Sequence, residues 1–74
     1  MKYETSRFGK NLELRRINAS MSVADLAERA GFSPKSIRSY ELGRTTPSLQ
    51  GAVTLAAALG VTVNDLLLVE PFAA

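Results

Sequence analysis

The chain has 74 residues, 46% of them apolar, with no cysteine, histidine or tryptophan and a formal charge of +2. A chain this short supports one small core, so a single domain over 1–74 is expected, and no disulfide, thiolate zinc site, imidazole ligand or histidine-dependent catalysis can be built from it. The modest total charge hides an uneven distribution, because the first 50 positions hold nine basic and five acidic residues while the last 24 hold none and two, which allows a basic face.

Residues that start or stop helices recur every ten or so positions, and no alternating strand pattern competes with them. The spacing predicts a first helix from near Thr5 or Ser6 to about Ile17, with Phe8 and Leu12 one turn apart on its core side. Asn18 to Met21 reads as a turn. Ser22 is a candidate N-cap with Asp25 placed to answer an orphan amide, and Gly31 ends this second helix after Ala30. Ser33 and Pro34 then supply a cap and a first helical residue for a third helix that stops at Gly43. An exposed loop, Arg44 to Pro47, leads to Ser48, which caps a fourth helix ending at Gly60. Thr62 caps a short fifth helix with Asp65 repeating the earlier arrangement, and Pro71 ends it, leaving 70–74 as a tail. The fold class is therefore all-α, a compact five-helix bundle. The charged N-terminal stretch MKYETSRFGK is no secretory signal, and the uncharged run from Pro47 to Asn64 contains too much Gly, Thr and Gln to span a membrane; a cytoplasmic protein is expected.

Two helices joined by a short glycine-containing turn over about residues 23–42 have the layout of a helix-turn-helix. Ala27 is small where the second helix nears the third, and Leu26, Ala30, Ile37 and Tyr40 fill the wedge between them. The stretch SVADLAERAGFSPKSIRSYELGRTTPS, followed by LAAALGVTVNDLL, resembles the Cro and repressor-type (XRE-like) helix-turn-helix domains of phage and bacterial regulators, over roughly residues 7 to 68. That resemblance implies a lambda-repressor-like bundle whose third helix enters the DNA major groove, commonly as a symmetric dimer on a near-palindromic operator.

Carried over by position, the resemblance places Ser33, Pro34, Lys35 and Ser39 toward base edges or adjoining phosphates. Lys35 can donate to guanine, and Ser39 lies one turn further along the same face. Arg38 lies between them and is read as a phosphate contact; Arg44, Thr45 and Thr46 are read as a backbone-gripping loop, and Ser22 as a helix-start hydroxyl beside a phosphate. Ser22 and Ser33 also serve as ordinary caps in any helical protein. The same resemblance pairs Arg16 with Glu41 as a structural ion pair. Two positions depart from the family: Val23 stands where many members have Gln, and Pro34 where several have a base-reading polar residue, which shifts specificity toward Lys35, Ser39 and the deformability of the site.

Apolar surface is left over. Leu14 and Ile17 face well away from Phe8 and Leu12, and Gly51, Thr54 and Ala58 form an uncharged stripe on helix 4. Either the chain's own Leu68, Val69 and Phe72 or a second subunit can cover these residues; a twofold dimer through helices 4 and 5 and the tail would set half-sites about 34 Å apart. The sequence thus favours a double-stranded DNA-binding repressor acting as a homodimer. The alternatives are a protein-binding module, such as an antitoxin-like subunit or the DNA-binding part of a larger regulator engaging a partner through its apolar C-terminal side, and a purely structural bundle. No cofactor, metal, membrane or small-molecule ligand is expected, and no enzymatic activity, because the carboxylates are dispersed.

Overall fold

A computed structural model describes residues 5–67, with side chains from residue 7 onward. Five helices follow in order: α1 (Thr5–Asn18), α2 (Val23–Ala30), α3 (Pro34–Glu41), α4 (Leu49–Leu59) and α5 (Val63–Leu67). The starts of α2 to α5 are set by side chains that accept from first-turn amides. The Ser22 hydroxyl accepts from Asp25 N at 3.0 Å while Ser22 N donates back to the Asp25 carboxylate at 3.0 Å. Thr62 and Asp65 repeat this reciprocal pair at α5. Ser33 and Ser48 cap α3 and α4 in the simpler one-way form. No strand occurs among the described residues.

The helix ends share one device. After each of the first four helices a residue one or two positions past the end takes a left-handed conformation, and the N–H after it returns to a carbonyl five residues back: Met21 to Arg16, Phe32 to Ala27, Arg44 to Ser39 and Val61 to Ala56. Gly31, Gly43 and Gly60 hold that position after α2, α3 and α4 with φ between 73° and 80°, where glycine avoids a Cβ clash. After α1 it is Ser20, at φ 59°.

The core draws on every helix: Phe8 and Leu12 of α1, Leu26 and Ala27 of α2, Ile37 of α3, Ala52, Leu55 and Ala56 of α4, and Leu66 of α5 are buried. Helix α1 packs on α3 and α5, α2 on α3 and α4, and α4 on α5, so α3 is held from two sides. The α1–α3 crossing is close because of Gly9, where a Cβ would lie 2.4 Å from the Tyr40 carbonyl oxygen and 2.7 Å from that of Glu41. Asn11, fully buried, donates from Nδ2 to the Leu66 carbonyl at 2.9 Å and ties α1 to α5. Arg15 adds an ion pair to Asp65 at 3.7 Å across the same contact.

The stripe expected on α4 does not form one exposed face. Gly51 is half-buried, with an added Cβ only 3.1 Å from Pro47 Cβ and 3.4 Å from the Phe32 ring, and Ala58 packs against the core. Both positions flank the Ala52, Leu55 and Ala56 stripe at about 100° per residue, so the packed side of the helix is broader than that stripe alone. Thr54 is exposed and returns its hydroxyl to the Gln50 carbonyl at 3.1 Å. The large exposed apolar residues of α4 are Leu49 and Val53 instead. On α1, Leu14 is half-buried and Ile17 exposed. Leu68, Val69 and Phe72, the tail at 70–74 and the expected stop at Pro71 lie outside the described residues.

Candidate nucleic-acid interface

Helix α3 turns Ile37 fully into the core and leaves Ser33, Pro34, Lys35 and Arg38 exposed at its start and outer side. The local sequence dictates this. Pro34 has no N–H to lose at the first helical position, and the Ser33 hydroxyl accepts from Ser36 N at 3.1 Å, so the N-terminal turn forms without a charged side chain. The positive dipole end of α3 thereby lies beside the exposed Lys35 with no acidic residue in its first turn, a setting that favours phosphate.

The base of α3 is fixed by Arg16 and Glu41. Arg16 Nε donates to Glu41 Oε2 at 2.7 Å and Nη2 to Oε1 at 3.2 Å, while Nη1 reaches the Met21 carbonyl at 2.8 Å. One guanidinium thus binds α1, the turn before α2 and the end of α3. The hydrogen bond to Glu41 raises the Arg16 pKa above its already high ordinary value, against the opposing effect of burial, so the pair never opens by arginine deprotonation at working pH. Phe32 and Tyr40 close the other side of α3 edge to face, with ring centroids 5.8 Å apart.

The loop after α3 carries Arg44, Thr45 and Thr46, all exposed. It is tethered to α3 at Ser39, whose carbonyl accepts from Arg44 N at 3.0 Å and from Thr45 N at 3.5 Å, and whose hydroxyl lies 2.8 Å from that of Thr45. Ser39 itself is half-buried. Lys35, Arg38 and Arg44 form no ion pair among the described residues. Arg38 borders a shallow groove of about 250 Å³ with Glu13, Val23, Glu41 and Leu42. Val23 therefore stands beside Arg38, at the junction of α2 and α3. Ser22 is exposed at the start of α2 with its hydroxyl oxygen already accepting the Asp25 amide.

The expected contact residues therefore gather on α3, its start and the loop that follows it, with Ser22 on the neighbouring helix start. Gly9, Asn11 and the Ser39–Thr45 link are not among the residues expected from the sequence. A glycine inside a helix, where it costs about 1 kcal/mol relative to alanine, and an amide one turn from Phe8 on a core stripe were the available signals for the first two; nothing local marks the third.

A short glycine-ended turn, a second helix held from behind and a row of uncompensated cations and hydroxyls on its outer side define a DNA-reading helix-turn-helix. Sequence comparison agrees: a helix-turn-helix family profile matches residues 12–66, three quarters of the chain. The chain belongs to this family of Cro/C1-type DNA-binding transcription regulators. No curated protein gives a significant match. Among solved structures, a hypothetical transcription factor from Neisseria superposes with a TM-score of 0.83 at 31% identity, covering 86% of this chain and 74% of that one. The clp gene regulator ClgR from C. glutamicum gives 0.82 at 28% identity, covering 85% and 81%. The restriction-modification controller protein C.AhdI from Aeromonas hydrophila gives 0.81 at 27%, covering 84% and 94%. The same unit also matches part of a larger enzyme, the hydroxypropylphosphonic acid epoxidase from S. wedmorenis, where 92% of this chain covers 36% of that one.

Proposed function

We propose that this chain is a sequence-specific double-stranded DNA-binding regulator that inserts α3 into the major groove of a near-palindromic operator as one half of a twofold dimer, and represses by occupying that operator. The observation that carries the reading is the set of exposed, unpaired cations Lys35, Arg38 and Arg44 on and beside one rigidly seated helix. Lys35 is assigned to base edges, with Ser33 and Pro34 beside it. Arg38, Arg44, Thr45, Thr46 and Ser22 are assigned to phosphates. The regulators among the structural neighbours support the same function. The chemistry calls for no cofactor, and a single cytoplasmic domain over 1–74 accommodates it. Selection from a random duplex pool tests the roles: Lys35→Ala should relax base preference, while Arg44→Ala should weaken all sequences alike and lower the salt slope by about 1. Identical behaviour of the two variants would contradict the assignment.

The dimer reading and a protein-partner reading share one surface. Leu49 and Leu67 are exposed at a groove of about 280 Å³ lined also by Pro47, Ala52 and Val63, and Val53 is exposed one turn along from Leu49 on α4, a helix that carries no charge at all. Burial of such a face against a second copy fits a regulator on a twofold site. Sedimentation of the free chain and of Val53→Glu should show a dimer and a monomer respectively; a monomeric parent would favour the partner-binding alternative.

A further inference from the structure

Ser39 and Thr45 stand 6 residues apart, yet their hydroxyl oxygens lie 2.8 Å from each other, and the Ser39 carbonyl takes the amides of both Arg44 and Thr45. Backbone and side chain of one helix residue thus hold the whole start of the following loop. We infer that Ser39 is a positioning residue that fixes the loop bearing Arg44 to the recognition helix, so that its hydroxyl serves phosphate contact through Thr45 and Arg44 and not base readout. This inference rests on the DNA-binding reading above.

Two hydroxyls share one hydrogen bond. Whichever oxygen accepts keeps its own proton to donate outward, so the pair presents a single outward donor beside an exposed guanidinium. That combination suits a phosphate oxygen, which accepts from a hydroxyl and an arginine together. A loop already held in place loses less conformational freedom on binding than a free one, and this is where the tether adds affinity. The other end of the loop is equally fixed, since Pro47 packs within 3.1 Å of where a Gly51 Cβ would lie and Ser48 caps α4.

The test is a double-mutant cycle in duplex affinity, read on two probes: a random-sequence duplex pool and the duplex enriched from that pool by the parent chain. Ser39→Ala and Thr45→Val should each weaken binding by about three- to tenfold, the range one net hydrogen bond supports, and equally on both probes. The double variant should be no weaker than either single one, Thr45→Ser should restore parental affinity, and Arg44→Ala should lose less in the Ser39→Ala background than alone. Circular dichroism melts of each variant separate loss of contact from loss of fold. Multiplying losses in the double variant, or a changed base preference with Ser39→Ala and none with Thr45→Val, would overturn the inference while leaving DNA binding intact. A parent chain that binds neither probe would overturn the underlying reading as well.

Discussion

Ser20 performs with a β-carbon what glycine performs after the next three helices: it holds φ 59° and lets Met21 N return to the Arg16 carbonyl at 3.1 Å. The left-handed region costs a non-glycine residue about 1–2 kcal/mol, so Ser20→Gly should stabilise the chain by about 1 kcal/mol and raise the melting temperature by roughly 4–8 °C; an unchanged or lower melting temperature would show that Ser20 is not strained. Arg16 and Glu41 give the opposite case. Their side chains retain only 13% and 8% of their exposure, and the bond is bidentate. Removing one partner strands a charge in a partly dry site, so Glu41→Ala should cost on the order of 3 kcal/mol. Glu13 makes only a 3.9 Å pair with Lys10 at the surface, and Glu13→Ala should cost well under 1 kcal/mol. Equal melting temperatures for the two variants would refute the assignment.

The capping aspartates set the acid limb of stability. Backbone and side-chain hydrogen bonds from Ser22 hold the Asp25 carboxyl below its ordinary value near 3.8, and those from Thr62 do the same for Asp65. A depressed carboxyl contributes stability that is complete above the unfolded value and lost as pH falls through the folded one. The chain should therefore hold its stability down to about pH 4.5 and lose it progressively below, and Asp25→Asn should be less stable at neutral pH with a shallower acid limb. An identical pH profile for parent and variant would remove the caps from the account.

At the scale of the helix, Gly9 and Gly51 pose the same question with different answers. Alanine gains about 1 kcal/mol of helix propensity at Gly9, inside α1, and up to that at Gly51 in the first turn of α4. At Gly9 the new methyl meets two backbone carbonyls at 2.4 and 2.7 Å, and backbone cannot step aside without moving α3, so overpacking of about 1–3 kcal/mol wins. At Gly51 the nearest atoms belong to side chains, Pro47 Cβ at 3.1 Å and the Phe32 ring and Ser48 hydroxyl at 3.4 Å, so the two effects should nearly cancel. Gly9→Ala should accordingly melt lower than Gly51→Ala; the reverse order would mean that the α1–α3 crossing is not fixed by Gly9.

The helices were legible from the sequence to within a residue or so at the described boundaries, because local chemistry marks most of them: Ser22, Ser33, Ser48 and Thr62 at the starts of α2 to α5, Gly31, Gly43 and Gly60 at the ends of α2 to α4. The Arg16–Glu41 pair was legible only through family resemblance, since 25 residues separate its partners. What periodicity did not show depends on which helix lies beside which. The inward turn of Gly51 and Ala58, the Asn11 bond to Leu66 and the Ser39–Thr45 link all follow from tertiary neighbours.

At the scale of the whole molecule, charge and exposed apolar surface fall on different parts of the chain. Every basic residue lies in the first 50 positions, while α4 and α5 contain none and bear the exposed Leu49, Val53 and Leu67. No described helix is long and apolar enough to cross a membrane. The function proposed above puts the basic residues against a duplex and the apolar ones against a second copy. The most direct measurement is affinity for the selected duplex and for random duplex across a salt series. Log K should fall linearly and steeply with log salt on both, with the selected duplex bound at least about 1,000-fold tighter, on the order seen for specific sites. Flat salt dependence with no enriched sequence would contradict it.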